Sequence, residues 1–387
     1  MFSRRTEWKL SHNSYTQALE RFRSSGRELL DLTASNPTDV GLQYETQRLL
    51  KSLSNPRALE YEPVAKGLLS ARQAVISYYV EKGIQLSPEQ LFLTVSTSEA
   101  YTYAFRLLCD PGDEVLVPQP SYPLFEFLAD LQDVKLVPYE LIYDHGWQID
   151  FHSLECAISS RTRAVLVVHP NNPTGSFVKQ AEKTLLDRIC TDRELAIVAD
   201  EVFLDYSLAS GDELSFAGSR GALTFTLSGL SKISGLPQMK VAWMVVSGPE
   251  ALAADAIARL EVIADTYLSL NAPLQWALPE MLNSRRGLQE QLRTRVRENL
   301  AELDRQLAGQ SLCHRLEVEG GWYAILRVPA IRSDEELSIE LIEKQAVLVQ
   351  PGHFYDFPSD GYLVISLITP EPQFREGVRR LLELVGR

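Results

Sequence analysis

Between residues 91 and 246, short apolar runs alternate with stretches of helical periodicity, and this alternation constrains the fold more than any other feature of the chain. The runs cover residues 91–95, 115–117, 164–168, 195–199, 222–227 and 241–246. Helical spacing marks residues 98–108, 122–131 and 180–190 between them. Continuous apolar strands separated by amphipathic helices indicate a sheet, mostly parallel, with helices on both faces.

In such sheets ligands bind beyond the carboxyl ends of the strands, and the chain places distinctive polar residues there. Ser96, Thr97 and Ser98 join the first run to a helix, where hydroxyls and backbone N–H groups would hold a phosphate, or where Ser96 would simply cap the helix. Tyr122 follows a proline-rich turn and would stack on a flat ring, or only pack. Asn172 opens the turn Asn172-Pro173-Thr174-Gly175; Asp200 ends an apolar run; Lys232 follows another. A lysine for a Schiff base, an acid for a ring nitrogen and an asparagine for a ring oxygen are the needs of pyridoxal 5′-phosphate. Each residue alone is weak, and the ordered set is strong.

Composition narrows the classes further. A chain of 387 residues, 45% hydrophobic and 23% charged, has room for two domains of an ordinary globular protein. Its formal charge of −13 argues against nucleic acid or an anionic membrane as partner. Cys109, Cys156, Cys190 and Cys313 are scattered, and the six histidines lack ligand spacing, so no metal site and a reducing, cytoplasmic setting are expected. The first ten residues have no signal-peptide core, and no run reaches membrane-span length.

Residues 67–80 form an amphipathic helix, and the segment up to residue 30 is helical before a short strand and turn at residues 31–37. After residue 272 the texture changes. A long charged helix runs toward Leu307; strands are expected near 316–319, 322–328 and 362–367, with helices at 335–344 and 374–384. The expected division is a large α/β domain over 47–278 and a smaller, discontinuous α+β domain made of 1–46 and 279–387.

The series Tyr61, Gly67, Ser96-Thr97-Ser98-Glu99-Ala100, Tyr122, Asn172-Pro173-Thr174-Gly175, Asp200-Glu201 and Ser231-Lys232 resembles the fold-type I, class I/II pyridoxal-phosphate aminotransferases, nearest the aspartate and alanine branch. The resemblance covers nearly the whole chain. It implies Lys232 as the Schiff-base lysine and Asp200 as the partner of the pyridine nitrogen. Asn172 would contact the ring oxygen, Tyr122 would stack on the ring, and Ser96 to Ser98 with Ser231 and Lys240 would serve the phosphate end. Tyr61 would reach the cofactor of a second subunit, making a homodimer with shared sites. The expected activity is transfer of an amino group between an amino acid and a 2-oxo acid. A lyase, decarboxylase or cyclising enzyme is the alternative on the same fold.

Three positions depart from the family pattern. Phe203 stands where a tyrosine usually donates to the ring oxygen, and Lys240 replaces a phosphate-binding arginine. Val364 occupies the place of the arginine that clamps the substrate α-carboxylate, and no arginine lies between Arg332 and Arg375. Asn36, His353 and Tyr355 are the candidates for substrate contacts in its stead, and weak binding of simple acidic amino acids is expected.

Overall fold

The computed structural model describes residues 1–208, 214–268 and 270–386. In chain order the strands are β1 (Leu30–Asp31), β2 (Leu91–Thr94), β3 (Glu114–Gln119), β4 (Lys135–Tyr143), β5 (Trp147–Ile149), β6 (Thr162–Val168) and β7 (Ala196–Asp200). They continue with β8 (Thr224–Gly229), β9 (Ala242–Ser247), β10 (His314–Arg315), β11 (Tyr323–Arg327), β12 (Val347–Leu348), β13 (Gln350–Pro351) and β14 (Tyr362–Ser366).

Eight of these form one sheet in the order β2-β9-β8-β7-β6-β3-β4-β5. Strands β8, β7, β6, β3 and β4 pair in parallel, and β9 runs antiparallel to both its neighbours. The apolar runs behave as their composition requires: every residue of β2, β7, β8 and β9 is buried. One face packs on the helices Thr97–Leu108 and Glu250–Tyr267 through Phe105, Leu260 and Ala264. Opposite, Leu186, Ile189 and Cys190 of the helix Gln180–Asp192 cover β6 and β7. Each such fully buried side chain contributes about 1.5–3 kcal/mol.

The second sheet has the order β10-β11-β14-β13 and is antiparallel. It packs against the helices Arg285–Leu307 and Glu371–Val385. The N-terminal segment joins this part of the molecule directly. Its β1 pairs in parallel with β12, and the Tyr15 hydroxyl donates to the Val349 carbonyl at 2.7 Å.

The expected strand at 316–319 is found two residues earlier, as β10. Residues beyond it leave the ladder because Glu319 turns to the other sheet. Its carboxylate accepts from Lys179 and from the Phe177 N–H, and its carbonyl accepts from the Leu208 N–H. Strands β4 and β5 and the helix Glu250–Tyr267 were not legible from periodicity. Strand β4 mixes exposed and half-buried positions, so it carries no continuous apolar run.

That Glu319 seam also meets the turn that carries Asn172. Gly175 has φ +69°, and a Cβ there would lie 2.4 Å from the Gly320 carbonyl oxygen. Gly175→Ala combines left-handed strain with this clash, so a loss of roughly 1–3 kcal/mol of stability is expected. Urea denaturation of the variant beside wild type measures it; an unchanged midpoint would show that the seam yields freely.

Candidate active site

The site assembles because β7 and β8 are neighbours in parallel register. Asp200, the last residue of β7, pairs with Leu227, and five residues later the chain turns into the short helix Leu230–Ile233 carrying Lys232. Gly229 lets that turn lie close to β9: a Cβ there would meet the Val241 carbonyl oxygen at 2.9 Å.

Lys232 Nζ donates to the Ser35 carbonyl at 3.4 Å, and its tip lies 4.8 Å from the Trp322 ring centroid and 5.4 Å from that of Phe203. Burial among these rings pushes its amine down to about 8, against the opposing pull of the Asp200 charge. Asp200 is buried; its Oδ2 accepts from the Tyr101 hydroxyl at 2.8 Å and its Oδ1 from the Val202 N–H at 3.1 Å. Desolvation still holds its carboxyl above the usual range, and the two hydrogen bonds and Lys232 oppose this. A cationic N–H placed against it would relieve that cost. The adjacent Glu201 is also buried, but Ser215 and Phe216 satisfy it, so it fastens a loop.

Asn172 is buried on the neighbouring turn, and its Oδ1 has no hydrogen-bond partner, so the carboxamide is not committed to the fold. Ser96 caps the helix Thr97–Leu108, its hydroxyl accepting from the Glu99 N–H at 3.1 Å. The capping role considered for Ser96 is thus present, with Thr97 and Ser98 following as the first turn. Tyr122 is 42% exposed and meets Phe125 edge-on at 6.1 Å, leaving its ring available to a flat ligand. Ser231 adjoins Lys232, while Lys240 is exposed in a left-handed conformation. Tyr61 is 84% exposed and lines a cleft of about 320 Å³ that shares no lining residue with the Lys232 crevice.

The substrate candidates fare differently from one another. The Asn36 amide is engaged as a cap, accepting from Thr38 and donating to Asp39 at 2.7 Å. His353 is exposed and rests against Phe354. Tyr355 is buried, donates its hydroxyl to Gln350, and its carbonyl accepts from the Ser121 N–H at 3.0 Å, beside Tyr122. Val364 is fully buried in β14 between Ile325 and Gln350, and Phe203 packs on Trp322 at 5.2 Å. Sequence reasoning did not find Tyr101, Trp322, Ser35 or Tyr206, whose hydroxyl donates to the Lys232 carbonyl at 2.6 Å. The helical phase of 97–108 points Tyr101 inward, but nothing in the phase names Asp200 as its partner.

The model of the aminotransferase class I and II family matches residues 27–381. The chain belongs to that family. This aminotransferase is similar to the glutamate-pyruvate aminotransferase AlaA of Haemophilus influenzae, with 28% identity over 378 residues, covering 95% of this chain and 93% of the relative. It is 26% identical over 375 residues to the aspartate/prephenate aminotransferase of Thermus thermophilus, covering 96% and 94%. Among solved structures, an alanine aminotransferase from Pyrococcus furiosus superposes with TM-score 0.91 at 21% identity, over 100% of both chains. An aminotransferase from Escherichia coli gives 0.89 at 25% identity, over 100% of this chain and 98% of the other. Among the described residues no helix is long and apolar enough to cross a membrane, and no cluster suits a metal.

Two measurements check the electrostatics. The Lys232 amine is nucleophilic only when unprotonated, so reductive methylation of the cofactor-free enzyme should rise through a midpoint near pH 8 at this lysine. A midpoint above 10 would mean the aromatic enclosure has no effect. Tyr101→Phe removes one hydrogen bond to an ionised carboxylate, worth about 1.5–3 kcal/mol. Urea denaturation of the variant beside wild type at neutral pH should show a lower midpoint.

Proposed function

We propose that the crevice between Lys232 and Asp200 holds pyridoxal 5′-phosphate and that Lys232 carries the proton transfers of amino-group exchange. The observation that carries this reading is the enclosed lysine amine, lowered by burial and facing a buried carboxylate whose hydrogen bonds leave it short of a cation. When bound, the cofactor supplies an electrophilic carbon for an amine and a ring that withdraws electrons from the carbon that loses its proton.

The chain's own residues have distinct tasks. Asp200, steadied by Tyr101 and the Val202 N–H, is the acceptor for a ring N–H. Asn172 supplies its uncommitted carboxamide to a ring oxygen, and the exposed face of Tyr122 covers the ring. Thr97, Ser98, Ser231 and Lys240 serve the phosphate, with the start of the helix Thr97–Leu108 contributing N–H groups. Lys232, its amine lowered to about 8, would take a proton from the donor's carbon and, in the reverse half-reaction, deliver one to the acceptor's carbon. Phe203 and Trp322 keep water from its amine.

The same reading places the domain boundary at 46/47 and 278/279, with substrate bound between the parts. It includes a cytoplasmic homodimer in which Tyr61 reaches the partner's phosphate, supported by the exposure of that ring. Amino acids and 2-oxo acids, the substrates in the names of several relatives, are the general class.

In the test, cofactor-loaded enzyme is mixed with an amino donor and no acceptor. One equivalent of the donor's carbonyl product per site is expected from wild type, and none from Lys232→Ala. Repeated turnover without an acceptor would favour a lyase instead. Separately, Phe203→Tyr adds a hydroxyl donor near Lys232, which stabilises an ionised ring oxygen. The pH midpoint of the bound cofactor's visible absorbance should therefore fall; an unchanged midpoint would place position 203 out of reach of the ring.

A further inference from the structure

A helix of one turn makes almost none of its own hydrogen bonds, so the carbonyls at its end need donors from elsewhere. Leu230–Ile233 is such a helix, and it carries Lys232. Side chains from three other parts of the chain supply the donors. The Tyr206 hydroxyl donates to the Lys232 carbonyl at 2.6 Å, which also receives a longer bond, 3.3 Å, from the Gly235 N–H. The Gln289 carboxamide donates to the Ile233 carbonyl at 2.8 Å, and the Tyr44 hydroxyl to the Gly235 carbonyl at 2.8 Å.

Gln289 is the donor most firmly anchored in its turn. It is buried on the long helix Arg285–Leu307, which backs the antiparallel sheet. Besides the Ile233 carbonyl, its Nε2 donates to Asp205 Oδ2 at 2.7 Å, so both amide hydrogens are used. Asp205 Oδ1 accepts from the Tyr78 hydroxyl at 3.1 Å and pairs with Lys82, at the end of the helix Leu69–Glu81. One turn along the long helix, Arg293 donates to the Asp205 carbonyl at 2.9 Å. The long helix therefore reaches the lysine by two routes, directly through Gln289 and through the consecutive pair Asp205 and Tyr206. Hydrogen bonds to a carboxylate are the strong ones, so Asp205 fixes the Gln289 carboxamide and the carboxamide fixes the Ile233 carbonyl.

The amine depends on where this short helix sits. Its Nζ is set against the Trp322 and Phe203 rings, donates to the Ser35 carbonyl and feels the charge of Asp200. A one-turn helix free to roll would carry that amine out of its aromatic surroundings toward water. Such a shift matters for rate, since misplacing a reacting group by about 1 Å can cost about a hundredfold. Gln289 meets the lysine's helix through backbone alone, so it acts on the amine by position.

We propose that Gln289 is a positioning residue for Lys232: held by Asp205, it clamps the carbonyl end of the lysine's helix and keeps the amine among the rings and in reach of the carbon whose proton it moves. The kinetic part of this rests on the aminotransferase reading above; the placement of the amine does not.

The experiment compares wild type with Gln289→Met, which keeps the length of the side chain and removes both donors. Reductive methylation of the cofactor-free enzyme reads the Lys232 midpoint, near 8 in wild type. In the variant it should rise by about one pH unit or more, because the amine gains hydration. In cofactor-loaded enzyme, single turnover with L-alanine or L-glutamate and no acceptor should slow by about tenfold, with the half-saturating donor concentration unchanged. Gln291→Met removes a carboxamide from the same helix, where it bonds the Gln43 backbone, and should leave both readings at their wild-type values. If Gln289→Met does not fold, Gln289→Asn, too short to reach both partners, carries the same expectations. A folded Gln289 variant in which either reading is unchanged would overturn the proposal, as would equal changes in Gln291→Met. Wild-type enzyme that forms no carbonyl product from either donor would overturn the function itself, and the methylation midpoint would still decide the positioning role.

Discussion

The burial of Lys232 against Asp200 is the constraint on which the rest of the site depends. A lysine amine set against the Phe203 and Trp322 rings loses hydration, which disfavours its charged form and lowers it to about 8. Such a group is stable only if the fold holds it there. The parallel register of β7 and β8 does so, setting the carboxylate at one strand end and the lysine one turn beyond its neighbour. Tyr206 then fastens the lysine's own backbone, and Tyr101 fastens the carboxylate. These tyrosines are structural in contact and electrostatic in effect.

The two parts meet near that pair through the aromatic contacts of Phe203 and Tyr206 with Trp322 and through several hydrogen bonds. Ser35 brings the N-terminal segment to the lysine, Glu319 brings the β10–β11 connection to Lys179 and Phe177, and Tyr355 and Asp356 bring the loop after β13 to Ser121 and Gln119. Hydrogen bonds across a seam fix orientation while contributing only modest net energy, about 0.5–1.5 kcal/mol each. A seam of this kind positions substrate groups accurately and can still open.

Departures from the family pattern separate this chain from a generic member of its family. Membership follows from a match over most of the chain, and relatives at 26–28% identity carry names for several different substrates. The fold therefore leaves the substrate open. Phe203, Lys240 and Val364 are where the distinction lies, because each replaces a side chain of the family pattern that donates or binds differently.

The sequence by itself determined the mostly parallel sheet and singled out Lys232, Asp200 and Asn172 as polar residues at its strand ends, because buried strands and polar strand ends are local patterns. It also exposed the departures at Phe203, Lys240 and Val364, since a residue type is legible wherever its place in a motif is known. Strand β4 escaped because its mixed exposed and half-buried positions give no apolar run, and β10 shifted because Glu319 answers to a partner 140 residues away. Tyr101 as the partner of Asp200, Trp322 beside the lysine and the strand register of the second sheet were decided only by the tertiary structure. They join residues about 100 positions apart or more, or depend on strand register, and no local periodicity records either.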